Sequence, residues 1–150
     1  KRGTIELHDK ILLMNNAEKM GFAELGKRAL TLIESDDYRI NLSHGELSPI
    51  NIIFSDGKYY YIDFETVGKR YFFYDLAYFM SKAFLSYKSD LLSKYLKGVY
   101  DDSLSEIFSL NGAHYNPKDR RVYLFIYEML YSGFGQYSSL LNFREFFIEY

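Results

Sequence analysis

The sequence predicts an α+β fold that is mostly helical and contains a small β-hairpin. Apolar residues recur at helical spacing over most of the chain, whereas one short region combines β-branched and aromatic residues around an Asp-Gly pair. The chain has 150 residues, of which 48% are hydrophobic and 19% are aromatic. This length and composition favour one packed domain that spans residues 1–150.

Two helices are predicted ahead of the hairpin. The first covers residues 4 to about 20 and the second covers residues 22 to about 34, with Gly21 as the break between them. Residues 40–42, which read INL, are expected to form a short strand. The part of the chain before the hairpin is therefore expected to be largely helical.

The hairpin is predicted from the segments NIIF and KYYYID, which a Ser-Asp-Gly turn connects. An Asp-Gly pair tolerates the positive φ angles of a type I′ turn. A two-residue turn places Asn51 opposite Ile62 and adjacent to Asp63, and a three-residue turn would place Asn51 directly opposite Asp63. In either register an amide and a carboxylate meet at the open end of the hairpin.

Helical spacing returns after the hairpin. A helix is predicted from Tyr74 onward, and Asp75 lies where an N-terminal cap is expected. The further predicted helices cover residues 90–99, 118 to about 131, and 143 to the end of the chain, with a loop at residues 111–117.

Composition and charge exclude several classes of function. The net charge is -2 and Lys and Arg are not clustered, so nucleic acid is not the expected partner. The chain has no Cys, which excludes disulfides and thiolate metal sites and fits a reducing compartment. The apolar runs are shorter than the roughly 20 residues that a membrane span needs. We therefore expect a cytoplasmic protein without a membrane span.

Polar residues are concentrated at the open end of the hairpin. Oxygen ligands such as those of Asn51 and Asp63 suit Mg²⁺, which proteins usually hold with few of their own groups and with substrate phosphates. Glu46 lies five residues before Asn51 and can reach the same region, where a carboxylate could accept a proton or orient a hydroxyl. His44 precedes it at the end of the strand.

These residues form a pattern that resembles a known superfamily. The segment HGELSPIN begins at His44, Asp63 lies twelve positions after Asn51 within the segment IDFE, and the segment YDLA follows. This order resembles the aminoglycoside phosphotransferase and choline kinase superfamily, whose fold is similar to that of protein kinases. The resemblance covers residues 40–80, and it implies a protein-kinase-like C-terminal lobe whose hairpin carries the catalytic and metal-binding loops.

The resemblance also implies a role for each matched residue. Glu46 would occupy the position of the catalytic base, and His44 would support its loop. Asn51 and Asp63 would hold Mg²⁺ bound to ATP, and Asp75 would tie the start of its helix to the catalytic loop. The same residues also fit a plain structural interpretation, in which Asn51 and Asp63 cap the hairpin and Asp75 caps the helix.

Two features depart from the family pattern. The base position holds Glu46 where the family has Asp, and a displacement of about 1 Å at such a position can lower the rate about a hundredfold. No glycine-rich loop followed by a strand Lys precedes His44. The N-terminal nucleotide-binding lobe is therefore expected to be absent from this chain, which by itself should be inactive.

The function that we predict is transfer of phosphate from ATP to a hydroxyl of a small molecule, such as an amino alcohol, an aminoglycoside or a cell-envelope sugar. The first alternative is a kinase-like binding or regulatory module without transfer, and a weaker one is a metal-dependent hydrolase. Five aromatic residues also share helical spacing, which favours core packing, although an aromatic wall can bind a quaternary ammonium or a sugar face; they are Tyr123, Tyr127, Tyr131, Phe134 and Tyr137.

Overall fold

The computed structural model describes residues 7–131, 144 and 146–148. The described part has an α+β fold that is mostly helical, as predicted. Its helices are α1 (Leu7–Lys19), α2 (Ala23–Glu34), α3 (Tyr74–Tyr87), α4 (Leu91–Leu96), α5 (Asp101–Leu110) and α6 (Arg120–Leu130). Its strands are β1 (Ile40–Ser43), β2 (Ile52–Ser55), β3 (Lys58–Tyr61) and β4 (Gly68–Tyr71), and single 3-10 turns cover Pro49–Asn51 and Pro117–Asp119.

The hairpin has the two-residue turn that the Asp-Gly pair predicts. Asp56 and Gly57 have φ angles of 50° and 72°, and Ser55 pairs with Lys58 across the turn. β2 has the predicted length but begins one residue later, because Asn51 belongs to the preceding 3-10 turn. β3 is shorter than predicted, because it ends at Tyr61. The Ile62 N–H still donates to the Asn51 carbonyl at 3.1 Å, so the predicted pairing of these two residues is confirmed.

A second two-stranded sheet pairs β1 with β4, which was not predicted. The strands are antiparallel, with Ile40 opposite Tyr71 and Ser43 opposite Gly68. The β4 segment GKRY has neither a β-branched residue nor a clear alternation, so its own sequence carries no strand signal. Its pairing with β1 places the end of β4, which leads to α3, opposite the start of β1.

The core is aromatic and lies around α6. The rings of Phe73, Phe108 and Tyr123 pack against one another with centroids 4.9–5.9 Å apart. Every residue from Val122 to Met129 is buried, because α6 packs against α1, α2, α3 and α4 and so has neighbours on several sides. The core therefore joins α5 and α6 to the segment that precedes α3.

The helix predictions were correct before the hairpin and less complete after it. α1 and α2 agree with the prediction over the described residues, and Gly21 separates them at a φ of 79°. The helix predicted at residues 90–99 was too long, since α4 ends at Leu96, and α5 was missed. Of the helix predicted from residue 143, residues 144 and 146–148 are described and are helical, whereas Phe134 and Tyr137 lie outside the described residues. Within the described part, no helix is both long and apolar enough to cross a lipid bilayer.

Candidate functional site

The loop that follows β1 is tied to α3 by the carboxylate of Asp75. The carboxylate accepts hydrogen bonds from the Ser43 hydroxyl at 2.9 Å, the His44 N–H at 2.8 Å and the Gly45 N–H at 2.9 Å. Of the two roles considered for Asp75, the helix cap is not observed, because Phe73 takes the N-cap position of α3 and makes no side-chain capping bond. Asp75 lies in the first turn, where the helix dipole favours a negative charge, and its side chain is used to hold the loop.

Gly45 allows the loop to turn against the chain that leads to β4. Its φ angle is +93°, and an added Cβ would lie 2.5 Å from the carbonyl oxygen of Thr66. The Thr66 hydroxyl donates to the carbonyl of His44 at 3.2 Å, so the two chain segments are also joined by a hydrogen bond. The backbone next to Glu46 is therefore fixed from two sides.

His44 connects the loop to the outgoing end of the hairpin. Its Nδ1 accepts a long hydrogen bond, 3.4 Å, from the Glu46 N–H, and its other ring nitrogen, Nε2, lies 2.8 Å from the Ile62 carbonyl oxygen. The neutral ring with its proton on Nε2 satisfies both contacts, because Nε2–H then donates to the carbonyl. The ring also packs against Phe64 with the centroids 4.8 Å apart. His44 therefore contacts the residues on both sides of Asp63.

Asn51 is buried, and its amide has a fixed orientation. Its Nδ2 donates to the carbonyl of Glu46 at 2.9 Å, and its backbone N–H donates to the Ser48 carbonyl at 3.0 Å. Only the amide nitrogen can donate, so Oδ1 is left as an acceptor. Among the described residues, no donor reaches this oxygen.

Asp63 is exposed and has an unusual backbone conformation. Its φ angle is +64°, a region that costs most side chains about 1 kcal/mol but that Asp and Asn tolerate. Its carboxylate makes no hydrogen bond or ion pair with the residues that the structure describes. The position after β3 therefore supplies a second oxygen group without a partner.

Glu46, Asn51 and Asp63 line one cavity of about 210 Å³. The opposite wall comes from α3, with Tyr78 and Lys82 among its residues. Burial raises the pKa of Tyr78, and the nearby charge of Glu46 raises it further. The three residues that the sequence singled out are thus brought together, with Glu46 facing α3.

An oxygen pair of this kind fits a hard cation. The Asn51 Oδ1 and the Asp63 carboxylate are both without a partner in the described structure, and Mg²⁺ is commonly held by one or two protein groups together with phosphate oxygens and water. In residues 7–131, 144 and 146–148, no group of three or more His, Asp or Glu side chains could hold a metal ion. Any cation here would need ligands from water or from a phosphate.

The residues that α3 contributes to the cavity were not predicted from the sequence. Tyr78 and Lys82 follow Asp75 at intervals of three and four residues, so all three lie on one face of the helix. That spacing was visible in the sequence. Arg70 was also missed: its guanidinium lies 4.9 Å from the ring centroid of Tyr74, beside Gly45.

The aromatic series of α6 belongs to the core. Tyr123 and Tyr127 are buried, and burial raises the pKa of both, that of Tyr123 to about 12. The Tyr131 hydroxyl lies 3.4 Å from that of Tyr38. The three described members of the series therefore pack inside the domain, which agrees with the default interpretation.

Comparison with known proteins finds no relative: no protein-family model, no curated protein and no solved structure matches the chain. The resemblance described above therefore depends on the residues and their spacing.

Proposed function

We propose that this chain is the C-terminal lobe of an ATP-dependent phosphotransferase that acts on a hydroxyl of a small molecule, with amino alcohols, aminoglycosides and cell-envelope sugars as the acceptors considered first. One observation carries the proposal. Three oxygen groups without partners among the described residues, those of Glu46, Asn51 and Asp63, line one cavity beside a loop that is held at several points. Phosphoryl transfer needs this combination of fixed position and charge.

Asn51 and Asp63 are the residues that would hold Mg²⁺ together with ATP. When bound, Mg²⁺ neutralises negative charge on the phosphate oxygens. The protein's contribution is to present Oδ1 of Asn51 and the carboxylate of Asp63 to the same cavity. The bond from Asn51 to the Glu46 carbonyl keeps the amide in this orientation.

Glu46 is the residue that would act on the acceptor. Its carboxylate accepts the hydroxyl proton while the acceptor oxygen forms a bond to the γ-phosphorus of ATP. The bond between that phosphorus and the β,γ-bridging oxygen breaks, and ADP leaves with the electron pair. His44 and Asp75 do not touch the reacting atoms and instead position the loop that carries Glu46.

The hairpin offers a surface that a nucleotide-binding lobe would cover. Its aliphatic and aromatic side chains are strongly exposed, with Phe54 at 62% and Tyr59 at 67% of their full accessible areas. Large exposed apolar side chains grouped on one hairpin are typical of a binding site or an interface. We propose that the lobe that completes the nucleotide site lies against this hairpin.

The proposal is tested with Asp63→Asn in the full-length protein. Asn tolerates the positive φ of Asp63, so this variant removes the carboxylate charge without adding backbone strain. We expect the unmodified protein to gain thermal stability from ATP only when Mg²⁺ is present, and to transfer phosphate to a hydroxyl acceptor. Asp63→Asn should lose at least 90% of the stabilisation by ATP and of the phosphate transfer. Both losses are expected because a metal ligand acts in the bound complex and in the transition state.

Asp56→Asn is the matched control, because Asp56 is also exposed, also has a positive φ and lies in the same hairpin but outside the cavity. Equal activity of the two variants would contradict the metal-binding assignment. An effect of ATP that does not require Mg²⁺ would contradict it as well.

A second candidate function is a kinase-like binding or regulatory module, and the observation that favours it is Glu46 itself. Its side chain is one methylene longer than the Asp of the family pattern, which shifts the carboxylate relative to a bound hydroxyl. Binding of ATP with Mg²⁺ and no transfer to any hydroxyl acceptor would support this module. A higher turnover in Glu46→Asp would instead support an enzyme whose base position is suboptimal.

A further inference from the structure

We propose that the cavity between the Glu46 loop and α3 receives a small acceptor that carries an anionic group, a phosphate or a carboxylate, and that Lys82 binds this group. The inference rests on the proposed phosphotransferase function, because it names the acceptor class of the same site. It also narrows that class, since positively charged amino alcohols and aminoglycosides would be disfavoured.

The face of α3 that begins at Asp75 leads into the cavity. Asp75 is fixed beneath the loop by three hydrogen bonds, and Tyr78 and Lys82 continue the same helical face. Both line the cavity. At 1.5 Å per residue, Lys82 lies about 10 Å along the helix from Asp75. Its ammonium group can therefore meet a part of the acceptor other than the hydroxyl that reaches Glu46.

The ammonium group of Lys82 lies near the ring of Tyr78 but has no negatively charged partner among the described residues. Its Nζ lies 5.4 Å from the ring centroid of Tyr78, within the range of a cation–π contact. This contact attracts the charge to the ring face and leaves the N–H donors of the ammonium group free for a ligand. An anion in the cavity would supply the acceptor that these donors lack.

The other charged residues of the cavity already have tasks in the proposed reaction. Glu46 faces the acceptor hydroxyl and Asp63 faces the cation, which leaves Lys82 to select the remaining part of the acceptor. A cationic acceptor would place two like charges in contact beside Lys82, whereas an anionic one forms a charge-assisted hydrogen bond. The charge pattern thus favours an anionic acceptor.

The size of the cavity favours a small acceptor. Its volume of about 210 Å³ is below the roughly 300–1,000 Å³ of cavities that hold drug-sized ligands. Ser86 and Tyr87 line the same cavity and are exposed, and both carry hydroxyl groups that can bind a polar ligand. A short hydroxy acid or a small phosphorylated polyol fits this description.

The test compares probes that share a small hydroxyl skeleton and differ in charge. D-glycerate and glycerol 3-phosphate are the anionic probes, glycerol is neutral and ethanolamine is cationic. Binding to the full-length protein is measured by calorimetry, and phosphate transfer is measured with ATP and Mg²⁺. We expect at least one anionic probe to bind more tightly than glycerol and ethanolamine. The relative affinities of D-glycerate and glycerol 3-phosphate then indicate whether a carboxylate or a phosphate is preferred.

Lys82→Met removes the charge and keeps most of the aliphatic length. It should weaken binding of the anionic probe roughly tenfold or more, as expected for a lost hydrogen bond to a charged group, and leave glycerol unchanged. Lys82→Arg should retain most of the affinity. Lys97→Met is the matched control, since Lys97 is an exposed lysine at the end of α4, outside this cavity.

The inference would be overturned if the anionic probes bound no better than glycerol, or if Lys82→Met left anion binding unchanged. It would also be overturned if Lys82→Met altered the KM for ATP and left the KM for the acceptor unchanged. The last result would assign Lys82 to the nucleotide. Anion binding that depends on Lys82, in a protein that neither binds nor consumes ATP, would instead sink the phosphotransferase proposal and leave the ligand class intact.

Discussion

Gly45 lies at the tightest point of the loop that carries Glu46. Its positive φ disfavours any other residue, and the space that a side chain would need is occupied by the Thr66 carbonyl oxygen. Gly57 also has a positive φ, but an added Cβ there would meet nothing within 4 Å. The two glycines therefore separate the effect of backbone conformation from that of a steric clash.

We predict that Gly45→Ala destabilises the protein by about 2 kcal/mol or more, whereas Gly57→Ala costs about 1 kcal/mol, the usual strain of a left-handed alanine. The free energy of unfolding of both variants is measured in urea. The additional loss in Gly45→Ala reports the clash with Thr66, and equal losses would show that the loop can move away from β4.

Asp101 is the residue for which the structure predicts a pH effect. The Arg120 guanidinium, which hydrogen-bonds to its carboxylate, lowers the pKa of Asp101, and the Tyr115 hydroxyl donates to the same carboxylate at 2.7 Å. A lowered pKa in the folded state stabilises the protein above the unfolded-state value of about 3.9. This contribution is lost as the pH falls through the lower, folded-state pKa.

Asp101→Asn should therefore lower the free energy of unfolding by about 1 kcal/mol at pH 7, a modest value because the pair is partly exposed. The difference from the unmodified protein should shrink as the pH falls below about 4. Asp102→Asn is the control, since Asp102 shares the first turn of α5 and is exposed. A loss of the same size in both variants would point to the helix dipole instead of Arg120.

At the scale of secondary structure, α3 does more than fill the core. Its first turn holds the Glu46 loop through Asp75, and the same helical face lines the cavity further along the helix. Its buried side contacts α6. The same helix therefore holds the loop and forms one wall of the cavity. A change in the position of α3 would affect both walls of the site.

Asp75→Asn tests this support. An amide can accept on one side only, so at least one of the three donors in the loop should lose its partner, at a cost of about 1–3 kcal/mol. Hydrogen exchange of the His44 and Gly45 amides should accelerate, while the amides in the middle of α3 keep their protection. Glu24→Gln, at an exposed position in the first turn of α2, is the control. Faster exchange confined to the first turn of α3 would mean that Asp75 acts mainly on the helix.

At the scale of the whole molecule, the aromatic core determines where the site lies. Phe73 directly precedes α3, is fully buried and packs against Phe108 and Tyr123. Tyr71, two residues before Phe73, ends β4 and stacks on Tyr38 with the ring centroids 4.5 Å apart. Burial raises the pKa of both tyrosines, so these side chains remain neutral. The core thus anchors the chain on both sides of the β4–α3 junction, from which Asp75 reaches the loop.

Local signals in the sequence determined much of the fold. The Asp-Gly pair fixed the turn and the register of the hairpin, because two residues with positive φ allow one pairing of the flanking strands. Helical periodicity located α1, α2, α3 and α6. The hairpin register also predicted that Asn51 and Asp63 lie close together, and both line one cavity.

Tertiary contacts decided the rest. β4 is a strand only because β1 pairs with it, and α5 buries just Leu104 and Phe108 against the core, too few positions to stand out in the sequence. Asp is a common residue at helix N-caps, but the fold gives the carboxylate of Asp75 three hydrogen-bond donors from a loop that is distant along the chain. The sequence by itself therefore determined which polar groups gather at the end of the hairpin, since that follows from local turn geometry. The second wall of the cavity, with Tyr78 and Lys82, was decided by the packing of α3 on α6, an interaction between segments that are distant along the chain.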